Sequence, residues 1–190
     1  MTIKGTETEK NLLKSFAGES QATNRYKLFA KQAKKEGYEQ ISAIFTETAD
    51  NEIEHAKRFF RFLEGGDIEI TATYPTNQVG TTKENLKNAA AGENEEWVEL
   101  YPYFADIAEK EGFPEIASAY RNISTVEKEH EARYLKLMAN LEDNSIFEKK
   151  SVVRWKCRNC GFVHEGEKAL EICPACLHPK SYFEVKENNY

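Results

Sequence analysis

The sequence predicts a mainly α-helical protein: a four-helix bundle followed by a small, β-rich metal domain at the C-terminus. A Glu-x-x-His motif occurs twice, at residues 52–55 and 127–130, and a Gly-Glu pair lies upstream of each, at residues 18–19 and 92–93. Apolar residues in the first three quarters of the chain recur mostly at spacings of three and four, the period of an amphipathic helix. All four cysteines lie near the C-terminus, in two Cys-x-x-Cys pairs.

The two motifs belong to a duplicated unit. Lys35 aligns with Lys110 at an offset of 75 residues (110 − 35), and the same offset relates Glu52 to Glu127. The upstream Gly-Glu pairs are instead 74 residues apart (93 − 19). A fixed internal period indicates two copies of one structural unit, and here each copy is expected to be a helical hairpin.

Glycines and prolines divide the bundle into four helices. Gly37 is expected to end the first helix, and Gly65 and Gly66 the second, because glycine is favoured just past a helix end. Pro102 lies near the middle of the third helix, where it is expected to bend the helix or open a turn beside the site. The expected helices are about 6–36, 38–63, 82–111 and 114–141, with an extended crossover at 67–81.

Connection lengths set the topology of the bundle and mark off the tail. Short turns at Gly37 and Gly112 make antiparallel pairs, and the longer crossover joins the pairs, which is a four-helix bundle with one crossover. Residues 142–150 are expected to be a polar linker. The tail has three strand-like pieces, at 152–156, 162–165 and 182–185.

Composition narrows the class of protein. The chain has 190 residues, 31% of them charged, and a net charge of −6. No basic stripe is visible, which argues against nucleic acid as a partner. There is no run of 18 apolar residues and no hydrophobic export signal at the N-terminus, so no membrane span is expected and the cytoplasm is the expected location.

The glutamates of the two copies are expected to form a site for two metal ions. At about 1.5 Å per residue they lie about 23 to 29 Å from their hairpin turns, within about one helical turn of the same level. Four buried carboxylates would repel one another without cations. The expected ligands are two bridging carboxylates, two terminal carboxylates and two imidazoles. The bridging carboxylates are Glu52 and Glu127, the terminal carboxylates are Glu19 and Glu93, and the imidazoles are His55 and His130.

The second copy carries an additional carboxylate, Glu96, three residues after Glu93 on the same helix face, where the first copy has Ala22. An extra ligand on one side predicts that one metal ion can change ligands with its oxidation state. Tyr26 and Tyr101 lie about two turns beyond the upstream glutamates, and spacing alone fits both hydrogen-bond donors to ligating carboxylates and ordinary core tyrosines. Four other glutamates are expected to face solvent: Glu54, Glu95, Glu129 and Glu131.

The four cysteines predict a second metal site. Cys157 and Cys160 are followed, after 12 residues, by Cys173 and Cys176 (173 − 160 − 1). Two such pairs can close a tetrahedral sulfur site, and their clustering favours metal ligation in a reducing compartment over disulfides. Four thiolates fit a structural zinc ion as well as a single redox iron.

The complete array, with its glutamates, its two Glu-x-x-His motifs and its two cysteine pairs, resembles the rubrerythrin family over essentially the whole chain. The resemblance implies a ferritin-like di-iron bundle at residues 1–146 and a rubredoxin-like domain at 151–190 with one iron held by four cysteines. It also implies that Glu96 is the family's additional glutamate, that His55 exchanges with it on reduction, and that Tyr26 and Tyr101 donate hydrogen bonds to ligands.

The family's activity implies an oxidoreductase, a non-haem di-iron peroxidase that reduces hydrogen peroxide to water and protects anaerobic or microaerophilic cells from oxidative stress. Electrons would arrive through the rubredoxin-like iron from an external donor, either rubredoxin or an NADH-dependent reductase, which makes the chain an indirect NADH peroxidase. The family also implies a homodimer or higher homo-oligomer. Two alternatives belong to other classes: a bundle that oxidises and stores iron, and a non-enzymatic protein whose tail binds zinc as an interaction module.

Overall fold

The computed structural model describes residues 1–189. Its helical part contains five α-helices and one π-helical turn, and its tail contains three strands and a 3-10 turn at Lys180–Tyr182. The helices are α1 (Glu7–Lys35), α2 (Glu39–Phe60), α3 (Thr82–Glu95), the π turn (Glu96–Leu100), α4 (Tyr101–Lys110) and α5 (Pro114–Glu142). The strands are β1 (Glu148–Cys157), β2 (Val163–Lys168) and β3 (Phe183–Val185). None of the described helices combines the length and the apolarity needed to cross a bilayer.

The first hairpin forms where the sequence predicts it. The Thr6 side chain accepts a hydrogen bond from the backbone N–H of Glu9 and so caps α1. Gly37, at φ +84°, provides the left-handed residue that ends the helix and turns the chain into α2. Helix α2 ends at Phe60, three residues before its expected end, and residues 67–81 have no helix or strand, as expected of the crossover.

The third helix differs from the prediction of one helix over 82–111, because a π turn divides it into α3 and α4. The backbone N–H of Tyr101 bonds to the carbonyl of Glu96, five residues earlier, instead of four. Pro102, which has no backbone N–H, lies in the first turn of α4. At this position its ring does not interrupt the regular backbone hydrogen bonds of a helix. The expectation of a turn near this proline is confirmed, and the wide turn accounts for the extra residue that separates the two offsets.

Two aromatic clusters fill the bundle, one on each side of the level of the glutamates. Tyr26, Phe45 and Tyr134 lie together in the first cluster, with ring centroids 5.1 to 6.1 Å apart. Tyr101 and Tyr120 lie in the second, 5.6 Å apart. The buried glutamates between these clusters are therefore shielded from water by large rings.

The tail is a three-stranded antiparallel sheet with the order β2-β1-β3. In the register, Trp155 on β1 is opposite His164 on β2 and Val185 on β3. Its indole N–H donates to the carbonyl of Gly166 at 3.0 Å, and the side chain is fully buried in the small core. Strand β1 begins at Glu148, so the last three residues of the expected linker, 148–150, are already part of the sheet.

The tail packs against the end of the bundle formed by the α1–α2 turn. Tyr38 at the start of α2 stacks on Phe147, with ring centroids 6.3 Å apart and planes at 10°. A Cβ at Gly37 would be 3.7 Å from the side chain of Ser181. The cysteine module of a chain thus lies at the end of the bundle farthest from the Glu-x-x-His level, about 15 residues or roughly 23 Å along α2.

Candidate metal centres

Six predicted ligands converge in the middle of the bundle, from α1, α2, α3 and α5. The four glutamates are almost completely buried, at 0 or 1% exposure, and His130 is exposed by only 4%. Their ligand atoms form two overlapping groups, each within 4.8 Å: Glu19, Glu52, His55 and Glu127 in one, and Glu52, Glu93, Glu127 and His130 in the other. Each group has the donors of one cation site, and two glutamates belong to both.

The two shared carboxylates each direct one oxygen to each histidine. Oε2 of Glu52 lies 2.8 Å from Nδ1 of His55, and its Oε1 lies 3.1 Å from Nδ1 of His130. Oε1 of Glu127 lies 2.9 Å from Nδ1 of His55, and its Oε2 lies 2.9 Å from Nδ1 of His130. This is the arrangement of bridging carboxylates between two ions, each of which also has one nitrogen donor.

Several polar atoms of the site are buried without a hydrogen-bond partner among the described residues. They include Oε2 of Glu19, Oε1 of Glu52, Oε2 of Glu93, both oxygens of Glu127 and Nδ1 of His130. A buried polar atom without a partner costs roughly 1 to 3 kcal/mol, and more when it is charged. These atoms without partners belong to the two ligand groups just described. The residues therefore fit a pair of divalent cations.

Burial and mutual repulsion also shift the proton affinities of these groups. Burial and the charge of Glu52 raise the pKa of Glu93 to about 8, and the pKa of Glu19 is raised for the same two reasons. Burial alone would lower the pKa of His55, but the adjacent carboxylates of Glu127 and Glu52 raise it to about 10. Protons therefore partly neutralise the carboxylates when cations do not, and cation binding releases these protons.

The two tyrosines bind the ligands crosswise between the copies. The hydroxyl of Tyr26, in the first copy, donates to Oε1 of Glu93 in the second at 2.5 Å. The hydroxyl of Tyr101, in the second copy, donates to Oε1 of Glu19 in the first. Spacing along one helix placed each tyrosine near the level of the site, whereas the bundle directs it to the neighbouring hairpin. The structure favours the hydrogen-bond donor role over ordinary core tyrosine.

Glu96 lies outside both ligand groups. It lines a cavity of about 290 Å³ beside the site, together with Arg25, Tyr74 and Tyr101. Burial and the charges of neighbouring glutamates raise its pKa well above the usual value, and the Arg25 guanidinium opposes that shift only in part. In this structure His55 is within the ligand group and the predicted exchange partner Glu96 is outside it.

One glutamate expected to face solvent has a different position. Glu54, Glu95 and Glu129 are exposed, as expected, but Glu131 is partly buried against the third helix. Its Oε1 accepts from the Asn94 amide at 3.0 Å, and its Oε2 accepts from the Trp97 indole at 2.6 Å. The expectation for Glu131 is therefore wrong, because the π turn brings Trp97 towards α5, which a regular helical period does not predict.

The four cysteines lie on two turns at one end of the small sheet. The Sγ atoms of Cys157 and Cys176 are 3.7 Å apart, and those of Cys160 and Cys173 are 3.6 Å apart. A tetrahedral ion with sulfur bonds of about 2.3 Å places its ligands about 3.8 Å apart, whereas a disulfide requires about 2.05 Å. The four thiols are free, and their spacing fits one tetrahedral ion.

A backbone amide favours the thiolate at one of the four cysteines. The backbone N–H of His178 is the main cause that lowers the pKa of the Cys176 thiol to about 6. Cys160 is exposed, so one edge of the sulfur tetrahedron is accessible from outside. An accessible sulfur edge allows electrons to enter without a channel, and it is consistent with the redox role expected of the module.

The chain matches known proteins along its whole length. The Rubrerythrin family model matches residues 10–138, and the model described as "Rubrerythrin, rubredoxin-like domain" matches residues 155–184. The chain therefore belongs to the rubrerythrin family. A rubrerythrin from Porphyromonas gingivalis is 60% identical over 189 residues, which cover 100% of this chain and 94% of that protein. A rubrerythrin from Nitratidesulfovibrio vulgaris is 52% identical and covers 100% and 99% of the two chains.

Solved structures of the family support the same fold. Nigerythrin in its fully reduced, all-ferrous state aligns with a TM-score of 0.64 at 28% identity, over 97% of this chain and 92% of that one. The predicted fold class, a ferritin-like bundle with a rubredoxin-like β-rich tail, is confirmed. The predicted cofactors are also confirmed at the level of the family: a di-iron site in the bundle and a rubredoxin-like site with four cysteines.

Proposed function

We propose that this rubrerythrin is a hydrogen peroxide reductase, an indirect NADH peroxidase whose electrons pass through the four-cysteine site to the di-iron site. One observation carries the proposal: a single chain has both an enclosed site for two cations and a four-thiolate site with an accessible edge. The first suits two-electron chemistry that must be shielded from water, and the second suits the supply of single electrons. A protein that only stores iron has no need of the second site.

The overall reaction is balanced as one hydrogen peroxide, two electrons and two protons to give two waters. When bound, the ferrous pair supplies the two electrons that the oxygen–oxygen bond takes up as it breaks. The chain contributes the ligands, a shielded volume and the protons. We assign Glu52 and Glu127 as bridging ligands, with His55 and His130 as the nitrogen donors. Glu19 and Glu93 complete the set as terminal ligands.

Glu96 is proposed as the group that changes place with His55 between oxidation states. Its carboxyl group borders the cavity and lies outside the ligand group that contains His55, which is the position expected for the reduced protein. Burial and the charges of neighbouring glutamates raise its pKa well above the usual value, which favours the protonated form of the detached carboxyl group. Glu96 can therefore donate this proton at its carboxyl oxygen to a departing oxygen of the substrate, then serve as an anionic ligand.

Electron delivery is proposed to occur between two copies of the chain. The tail packs on the turn end of its own bundle, roughly 23 Å along α2 from the ligands. Electron transfer slows steeply with distance, so a shorter route through a second copy is favoured, and we propose a homodimer or higher oligomer. The bundle, residues 1–146, and the tail, residues 151–190, act as separate domains in this proposal. NADH acts through a separate reductase or a rubredoxin-type donor.

The proposed cellular role is protection from oxidative stress in an anaerobe or microaerophile. Four free thiols at a metal site are preserved in a reducing compartment, which supports the cytoplasm as the proposed location. Neither nucleic acid nor a membrane is proposed as a partner.

Stopped-flow oxidation tests the proposal. The iron-loaded protein is reduced under anaerobic conditions and mixed with equimolar hydrogen peroxide or with oxygen, while the absorbance of the di-iron and thiolate-bound irons is followed. We expect peroxide to oxidise the di-iron site much faster than oxygen, and the thiolate-bound iron to be oxidised afterwards. Faster oxidation by oxygen than by peroxide would overturn the peroxidase assignment and favour an oxidase or iron-oxidising function.

A further inference from the structure

The π turn next to the di-iron site is held by two side chains of α5. The hydroxyl of Ser124 donates to the backbone carbonyl of Trp97 at 3.1 Å. Glu131 accepts from the indole N–H of Trp97 at 2.6 Å and from the Asn94 amide at 3.0 Å. Glu96, the first residue of the turn, therefore lies between two residues that are both bound to one carboxylate.

These contacts meet the specific needs of a π turn. Its five-residue hydrogen bonds displace backbone carbonyls from the regular ladder, and a displaced carbonyl requires another donor. Ser124 is that donor for Trp97. A carboxylate that accepts two hydrogen bonds at once fixes an orientation as well as a distance, and a charged acceptor strengthens both. The Lys128 ammonium lies 5.4 Å from the centre of the Trp97 ring and adds a contact from the same helix.

The first copy lacks every part of this arrangement. At the position of Glu96 it has Ala22, at the position of Ser124 it has Ala49, and at the position of Glu131 it has Ala56. The corresponding helix of the first copy, α1, is a regular α-helix throughout. The additional carboxylate, the wide turn and the two residues that hold the turn thus occur together in one copy and are all absent from the other.

We propose that Glu131 and Ser124 are positioning residues for Glu96: they fix the π turn so that the Glu96 carboxyl group can reach and leave the di-iron site. The proposal rests on the exchange role given to Glu96 under the proposed function. Neither residue is in either ligand group, and both contact the turn, so the turn is the route by which they would act on Glu96.

The first test observes the turn directly, in the full-length zinc-loaded protein, which is diamagnetic and redox-inert. The chain has two tryptophans, so its indole N–H groups give two NMR signals, and Trp155 is an internal reference within the tail core. We expect Glu131→Ala to shift the Trp97 signal and to speed its hydrogen exchange at least tenfold, with no change at Trp155. An unchanged Trp97 signal would overturn the proposal. Glu131→Gln, which keeps the shape of the side chain and one acceptor oxygen and leaves the Trp97 indole in place, replaces this variant if it does not fold, with a smaller shift expected.

The second test is a double-mutant cycle on peroxide oxidation of the reduced, iron-loaded protein. We expect Glu131→Ala to slow oxidation about tenfold, with Glu131→Gln between it and the parent because the amide keeps one acceptor oxygen. Glu129→Ala, an exposed change on the same helix, is the matched control and should stay within about twofold. If Glu131 acts through Glu96, the double variant Glu96→Ala/Glu131→Ala is no slower than Glu96→Ala alone. Multiplicative effects would overturn the positioning role.

The cycle separates this inference from the function on which it rests. If Glu96→Ala oxidises at the parent rate, the exchange role of Glu96 fails and the positioning role fails with it. If Glu96→Ala is slow but Glu131→Ala and Ser124→Ala match Glu129→Ala, only the positioning role fails. Mössbauer spectra of the reduced variants provide a readout independent of rate, because altered ligation at one iron changes one of the two di-iron subspectra.

Discussion

Single residues show that the two copies depend on each other at the metal site. Tyr26 and Tyr101 each donate a hydrogen bond to a buried carboxylate of the opposite copy, so each hairpin supplies a hydrogen-bond donor to the other. A tyrosine hydroxyl bound to a ligating carboxylate fixes the rotamer of that carboxylate and removes part of its charge.

The crosswise bonds predict a loss of iron affinity in Tyr101→Phe. The phenyl ring keeps its packing, but Glu19 loses its donor in a buried site. We expect the apparent affinity for the second ferrous ion to fall about tenfold, measured by anaerobic titration. Tyr120→Phe is the control, because Tyr120 lies in the same aromatic cluster but its hydroxyl contacts Ser15, 3.2 Å away. Equal losses in the two variants would show that packing, and not the carboxylate bond, controls binding.

The two cysteine turns have different residues at the position that follows each Cys-x-x-Cys pair. Gly161 follows the first pair at φ +81° and Leu177 follows the second at φ +60°, and both backbone N–H groups bond to the carbonyl of the first cysteine of their pair. A left-handed conformation costs a residue with a Cβ about 1 to 2 kcal/mol. Leu177 is 78% exposed, so its side chain has little packing to lose.

This difference predicts opposite effects of two substitutions. Leu177→Gly should stabilise the iron-loaded tail by about 1 kcal/mol, and Gly161→Ala should destabilise it by about 1 kcal/mol. A Cβ at Gly161 has no atom within 4 Å, so the loss would be conformational and not steric. The measurement is the denaturant midpoint of the visible absorption of the thiolate-bound iron. A lower midpoint for Leu177→Gly would contradict the strain assigned to this turn.

At the scale of elements, the sequence predicted the features that follow from a regular helical period. The glycine stops and the doubled motif were sufficient to predict the hairpins and to bring Glu52 and Glu127 to one level, because these depend on positions along straight helices. Regular helical periodicity predicts neither the π turn nor the contacts of Glu131. A π turn contains one more residue than a regular helical turn, so it changes the direction in which the residues of this segment face. The partners of Trp97 therefore depend on a backbone irregularity, and a prediction from helical periodicity assumes that there is none.

The change of offset did contain a signal of the π turn. The two offsets, 74 at Glu93 and 75 at Lys110, place one additional residue of the second copy between these positions. The spacing from Glu19 to Tyr26 is seven residues, and from Glu93 to Tyr101 it is eight. Both tyrosines nevertheless reach a carboxylate, which a regular helix with one more residue would not allow. The extra residue must therefore be absorbed in the π turn.

A one-residue deletion tests this interpretation. In a Pro102→Ala background, which removes the proline that a regular helix would not tolerate, deletion of Val98, 46% exposed within the π turn, should restore a regular helix like α1 and leave Tyr101 in register. We expect a loss of about 1 kcal/mol or less, seen as a melting temperature lower by at most about 2 to 4 °C. Deleting the exposed Asp106 from α4 instead rotates the residues after it by about 100° and should cost about 2 kcal/mol or more. Similar melting temperatures for both deletions would contradict the interpretation.

At the scale of the whole molecule, the two metal sites of one chain are far apart along a long bundle. The stacking of Tyr38 on Phe147 fixes the tail at the turn end, while the ligands lie about half-way along the helices. Closed two-fold symmetry can bring the tail of one chain to the ligand level of another. In the proposed dimer, the tail of each chain then supplies electrons to the di-iron site of the other chain.

Subunit mixing tests the route between chains. One variant, Cys160→Ser/Cys173→Ser, loses the thiolate site, and the other, Glu52→Gln, loses a bridging carboxylate with little change of shape. Each alone should have almost no turnover with peroxide and a reductant of the thiolate-bound iron. In a mixed dimer, the intact di-iron site of the first chain faces the intact tail of the second, so one of two routes works.

Random exchange produces mixed dimers in about half of the molecules, so we expect mixing to restore about a quarter of the parental turnover. If electrons instead moved within one chain, the mixed dimers would be as inactive as their parents, because no chain then has both sites. Native mass spectrometry of the mixture provides the necessary control for exchange. Mixed dimers without recovered turnover would overturn the route between chains, and iron analysis of the two variants would show whether each retained the metal site it was designed to keep.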